Sequence, residues 1–251
     1  EKFLATSTLN KHRPAEETIA LTEDDLLHIL GTIAMREYRL EDAISYWENI
    51  TDEDLLGITR NPFVVNIIDD VCDCDWCHCY DYDWKSRTST YIGPDIKYSK
   101  LDIAIELRSL LEEVKDNTNK AEVYYKLGNY YLNSTYFGHA WGMNAMYRSG
   151  YFNARSEWID LKDYHLDLIT PLGFYDECVS LSTGMNNELA AECAFMAAKC
   201  EQYLYISDST LQQIEKIKTS SGYDYEKLVF PNYDVYGKYF NILRENFSDT
   251  D

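Results

Sequence analysis

The sequence predicts an all-α fold built from antiparallel helix pairs, with one long irregular insertion. Three observations carry this expectation. Apolar residues recur at three- and four-residue spacing over most of the chain, as they do along one face of a helix. Helix breakers are sparse, with 11 glycines and 5 prolines in 251 residues. One spacing also occurs twice: Leu30-Gly31 and Leu127-Gly128 are each followed, twelve residues after the glycine, by an alanine, Ala43 and Ala140.

The first helix opens at Thr22, with Asp25 three residues on. At that spacing a capping hydroxyl and a carboxylate exchange hydrogen bonds with each other's backbone N–H. Leu26, Leu27, Leu30, Ile33 and Ala34 supply its apolar positions. A tight turn near Arg39 leads to a second helix marked by Ala43, Ile44 and Trp47. Residues 58–98 lose the helical period and form the insertion; within it, "NPFVVNIID" reads as a short extended piece. Ser99 and Asp102 repeat the capping device ahead of Leu101, Ile105, Leu107, Leu110 and Leu111. Segments 120–133 and 137–150 are expected to form a second antiparallel pair. Further helices are expected at 171–182, 188–206, 208–219 and 234–247. Pro171 suits a first turn, where its missing N–H is not needed, and Asn187 suits an N-cap. The chain reads as a single domain over 1–251.

In the first pair Trp47 stands sixteen residues after Gly31; in the second, Tyr124 and Tyr131 flank Gly128. These offsets resemble the tetratricopeptide repeat (TPR), a helix–turn–helix of about 34 residues. Its small residues lie where two helices cross, and its large ones fill the gaps. Leu27, Ala34 and Asn144 depart from the repeat, standing where it has aromatics. The longer run "LLHILGTIAMREYRLEDAISYWENI", "NPF", "KYSKLDIAIELRSLLEE" and "AEVYYKLGNYYLNSTYFGHAW" is similar to exported TPR-like proteins of Bacteroidetes. The resemblance implies a TPR-like α-α superhelix and an exported, periplasmic or outer-membrane-associated location. It implies no chemistry. In such arrays the first helix of each pair lines a concave face that receives an extended peptide. That geometry puts Asp25, His28, Ile29, Thr32 and Arg36 on the face from the first pair, and Glu122, Tyr125, Lys126, Asn129 and Asn133 from the second. The implied function is a non-catalytic scaffold of the cell envelope that binds a protein or peptide.

Charge narrows the partner. With 43 acidic and 23 basic residues, the formal net charge is −20. A field of that sign repels nucleic acid and anionic lipid, and favours a basic protein or peptide. No apolar run reaches the ~18–20 residues that span a bilayer. Beginning at Glu1 rather than methionine, the sequence reads as a processed or trimmed chain.

The alternative function lies in "VCDCDWCHCYDYDW", residues 71–84. Cys72, Cys74, Cys77 and Cys79, with His78 among them, offer soft ligands of the kind that hold zinc. Four thiols within eight residues differ from the two separated knuckles of most zinc sites. This stretch defines the rival reading, a metal-binding protein or metal-dependent enzyme centred on 69–83, with zinc as its cofactor; the scaffold reading needs none. The same thiols could instead pair among themselves or with Cys178, Cys193 or Cys200; seven is odd, so one at least stays single. Asp69, Asp70 and Asp73 match the D-D-x-x-D string of isoprenoid synthases, but no second acidic motif or basic cluster accompanies them. No G-x-S-x-G, Walker or H-E-x-x-H string occurs, so no catalytic residue is nominated.

Overall fold

A computed structural model describes residues 21–58, 60–65, 80–83, 88–91, 98–115, 120–146, 167–219 and 237–248. Among these the chain is mostly helical: α1 (Glu23–Arg36), α2 (Leu40–Trp47), α3 (Lys100–Glu113), α4 (Ala121–Asn133), α5 (Ile169–Ser182), α6 (Asn187–Thr219) and α7 (Lys238–Asn246). Each helix packs on its neighbours in sequence, α1 on α2 through to α6 on α7.

The first pair forms as its sequence dictates. Thr22 Oγ1 accepts from Asp25 N at 3.1 Å, and Asp25 Oδ2 accepts from Thr22 N at 2.8 Å. Tyr38 turns the chain with a left-handed φ of 59°. At the far end of the pair, Asp24 Oδ2 accepts from Thr51 N at 3.0 Å and Asp52 N at 2.8 Å, so α2 runs antiparallel to α1. The buried side of α1 differs from the expected one. Gly31, Thr32, Ala34 and Met35 are buried, while Leu26 and Leu30 stay 38% and 43% exposed. Trp47 decides this: its indole lies directly against Gly31, where an added Cβ would fall 2.1 Å from Nε1.

Among the described residues, the strands lie within the insertion and at its two ends. β1 (Gly57–Ile58) pairs antiparallel with β4 (Tyr98–Ser99), so the chain leaves and returns at one point before α3. Within the insertion, β2 (Tyr80–Asp83) pairs antiparallel with β3 (Thr88–Tyr91).

The expected second pair is corrected. Among the described residues of 137–150 there is no α-helix, only a 3-10 turn at Trp141–Met143. Side-chain hydroxyls compete with the helix here. Thr135 Oγ1 donates to Leu132 O at 2.7 Å and accepts from Phe137 N at 3.3 Å. The chain then doubles back, with Ala140 N donating to Asn133 O at 2.8 Å. Gly138 sits so close that a Cβ would fall 2.1 Å from the same carbonyl oxygen. The helix that crosses α4 is α5: Tyr175 fills the space above Gly128, where a Cβ would lie 2.6 Å from its ring. The small-residue principle holds, with a partner 47 positions on rather than in the next helix-sized segment. Residues 188–206 and 208–219 also prove to be one helix, α6. No glycine or proline interrupts 187–219.

Two cores result. One gathers α1 to α4 around Trp47, Leu107 and Leu127, together with Phe63 and Met143. The other gathers α4 to α7 around Tyr175, Met196 and Tyr239. A disulfide joins Cys178 of α5 to Cys193 of α6, with Cα atoms 6.2 Å apart. Cys200 is a buried free thiol, and burial pushes its pKa up, away from reactive thiolate.

Gly31 and Gly128 give a test whose sign is informative. In an open helix, glycine to alanine stabilises by up to about 1 kcal/mol. Gly31→Ala and Gly128→Ala are expected to destabilise by about 1–3 kcal/mol instead, because Trp47 and Tyr175 have no room to retreat. Gly173→Ala in α5, where a new methyl meets nothing within 4 Å, should follow the open-helix rule. Urea unfolding of the three variants checks both directions.

Candidate functional site

Asn129 and Asn133 stand one turn apart on α4 and share a face. Across that face lies the turn 61–65, closed by Val64 N donating to Asn61 O at 3.4 Å. Asn133 Nδ2 donates to Pro62 O at 2.8 Å and to Val64 O at 2.9 Å. Asn129 Nδ2 donates to Phe63 O at 3.0 Å. His139 Nε2 lies 3.0 Å from Asn61 O, and since a carbonyl only accepts, that nitrogen carries the proton. Four successive carbonyls are therefore held by side chains from α4 and the turn after it. A carboxamide suits the task because one NH2 group offers two donors, and Asn133 uses both. Tyr175 of α5 donates its hydroxyl to Asn129 Oδ1 at 2.7 Å, which fixes the amide's orientation. Asn61 Oδ1 accepts from Phe63 N at 2.9 Å and turns the segment into place. Phe63 stacks on Tyr130 with ring centres 5.5 Å apart. Pro62 is buried, whereas Val64 faces outward at 57% exposure.

This arrangement corrects the expected open face. Asn129 and Asn133 are 0% and 2% exposed; the face they form is filled by the chain's own segment. Buried amides must be satisfied, and the carbonyls of 61–64 satisfy them. Thr32 is also buried rather than open, its hydroxyl donating to His28 O at 2.9 Å within α1. Glu122 and Lys126 are exposed, and Ile29 and Arg36 partly so. Tyr125 is half-buried with its ring 6.4 Å from that of Tyr175; burial first, then Glu192, pushes its phenol pKa up. Asp25 is committed to the α1 cap. Cys72, Cys74, Cys77, His78 and Cys79 lie outside the described residues, as do Asp69, Asp70 and Asp73. Among the described residues no group of three or more His, Cys, Asp or Glu is placed to hold a metal ion.

A second polar cluster surrounds His28. Lys100, the first residue of α3, is only 5% exposed. Its Nζ lies 2.8 Å from His28 Nε2 and 6.0 Å from the centre of the Trp47 ring. A cation is doubly disfavoured here, by burial and by the positive end of the α3 dipole. Burial brings the Lys100 pKa down to about 7. Burial, and then the neighbouring Lys100, lowers that of His28 to about 4. The sequence offered no signal for this pair, since a lysine at a helix start reads as a surface residue.

No helix among the described residues is long and apolar enough to cross a membrane. The chain matches no protein family, no curated protein and no solved structure in the comparisons made.

Proposed function

We propose that the chain is a non-catalytic protein- or peptide-interaction scaffold, a TPR-like superhelix of the cell envelope. One observation carries the reading: Asn129, Asn133 and His139 hold four consecutive backbone carbonyls of a turn segment, 61–64. Such a groove reads main chain through carbonyls and side chain through the seats of Pro62 and Phe63, the two kinds of contact by which a peptide is recognised in trans. Residues 61–65 are then the resident occupant, and a partner peptide of similar character displaces them. Helices that pack on their sequence neighbours are what a superhelical array requires. The Cys178–Cys193 disulfide fits an oxidising compartment outside the cytosol. The net charge of −20 favours partners with basic flanks.

The experiment frees the groove. A Pro62→Gly, Phe63→Gly protein that remains folded by circular dichroism is titrated with a labelled synthetic peptide carrying the sequence of residues 60–66. Saturable binding in the micromolar range is expected, strengthened by added lysines at the peptide ends and weakened by salt. No binding up to about 1 mM, an affinity worth only about 4 kcal/mol, would overturn the reading.

A further inference from the structure

Where α1, α3 and α4 meet there is a cavity of about 50 Å³. Met35, Leu107 and Leu111 give it apolar walls; Tyr130 and Asn144 are its buried polar lining. Each of these two residues carries a buried atom, the Tyr130 hydroxyl and Asn144 Oδ1, with no hydrogen-bond partner among the described residues. The two residues are 2% and 4% exposed. The Asn144 amide cannot simply turn over, because its Nδ2 is engaged with Ser134 O at 3.0 Å. Buried polar atoms without partners are rare in folded proteins, and here one cavity is lined by two residues that each carry one, a phenol that donates and an amide oxygen that only accepts.

The structure assigns this cavity, we infer, to the hydroxyl end of a small uncharged apolar ligand, an aliphatic alcohol. A single hydroxyl accepts from the Tyr130 O–H and donates to Asn144 Oδ1, while its carbon chain lies against the leucines and Met35. A charged group does not fit, because no charged side chain among the described residues lines the cavity and an ion there would lose its hydration uncompensated. The volume is about a third of the ~150 Å³ that accommodates benzene, so it takes a few heavy atoms. A longer ligand extends past Tyr38, a lining residue that is 50% exposed and marks the way out. The inference is independent of the peptide-binding proposal, since it rests on atoms the asparagine clamp does not use.

The test is a titration of the ¹⁵N-labelled protein with 1-propanol, followed by NMR, beside 1-chloropropane as a probe of similar shape without the hydroxyl. Saturable shifts centred on Met35, Leu107, Leu111, Tyr130 and Asn144 are expected for propanol. Tyr130→Phe, which removes one oxygen and leaves the ring in place, should weaken propanol by about tenfold and leave chloropropane unchanged, the difference one hydrogen bond makes. Leu111→Trp should abolish both by filling the space. Propanol shifts that never saturate would overturn the assignment and leave the cavity to water. Equal affinity of propanol for the parent and Tyr130→Phe would overturn it as well, since the hydroxyl would then go unread.

Discussion

Replacing Lys100 by methionine is expected to make the protein more stable, by as much as about 4 kcal/mol at pH 7. Lys100 is buried, and among the described residues it has only His28 and the Trp47 ring for company, with no carboxylate. In the unfolded chain its amine binds a proton below about 10.4; in the fold it does so only below about 7. Between those values the unfolded state holds a proton that the native state has given up, so stability falls as pH falls through that window. His28 extends the loss. Its folded pKa of about 4 lies under the unfolded value of 6.5, so stability declines again as pH falls from about 6.5 toward 4. Methionine keeps the length and volume of the side chain without the charge. Urea midpoints at about pH 7 and pH 9.5 test the argument: the parent should gain stability between them and the variant should not. A variant less stable than the parent at both values would show that Lys100 contributes a favourable interaction larger than its burial penalty.

The second large effect is expected at Asn129. Asn129→Leu removes a donor from the carbonyl of Phe63 and an acceptor from the hydroxyl of Tyr175. Both bonds are buried, so two polar groups lose their partners at about 1–3 kcal/mol each, for a loss of about 3–5 kcal/mol. Tyr175→Phe alone should cost about 1–3 kcal/mol, since it orphans only Asn129 Oδ1. The double variant should be less damaged than the sum, by roughly 1–2 kcal/mol, because the orphaned hydroxyl is gone. Strict additivity in this cycle would mean that the Tyr175–Asn129 bond contributes nothing.

The parts legible in the sequence were those set by neighbours along the chain. Thr22 and Asp25 cap α1 because both capping bonds span three residues. Gly31 and Trp47 meet because a short turn returns α2 upon α1. Gly128 was legible as a crossing point, but its partner was not. Ala140 has the right offset, yet the hydroxyl of Thr135 and the close approach of Gly138 end the helix that the offset assumes. No local pattern marks Tyr175 as the ring that fills the gap. The asparagines show the same division. Their capacity to hold backbone carbonyls follows from the amide group itself, but "NPF", expected as part of an extended piece, forms a turn because Asn61 accepts from Phe63 N through its side chain and from Val64 N through its carbonyl. That one would lie on the other depends on where α2, α3 and α4 pack, which a periodicity does not encode. Lys100 was illegible for the same reason: its environment comes from α1 and α2, far away in sequence.

The disulfide between α5 and α6 bears on how the chain survives proteases. The turn between these helices is exposed from Thr183 to Glu188, and Met185 within it is 82% exposed. It is an obvious place for a protease to cut. Cys178 and Cys193 stand on either side of it, so a cut there does not release a fragment. The two pieces stay one covalent molecule, still packed across the same helix seam, and separate only when a reductant follows the protease. Such a nick would pass unnoticed on a non-reducing gel and appear as two bands on a reducing one.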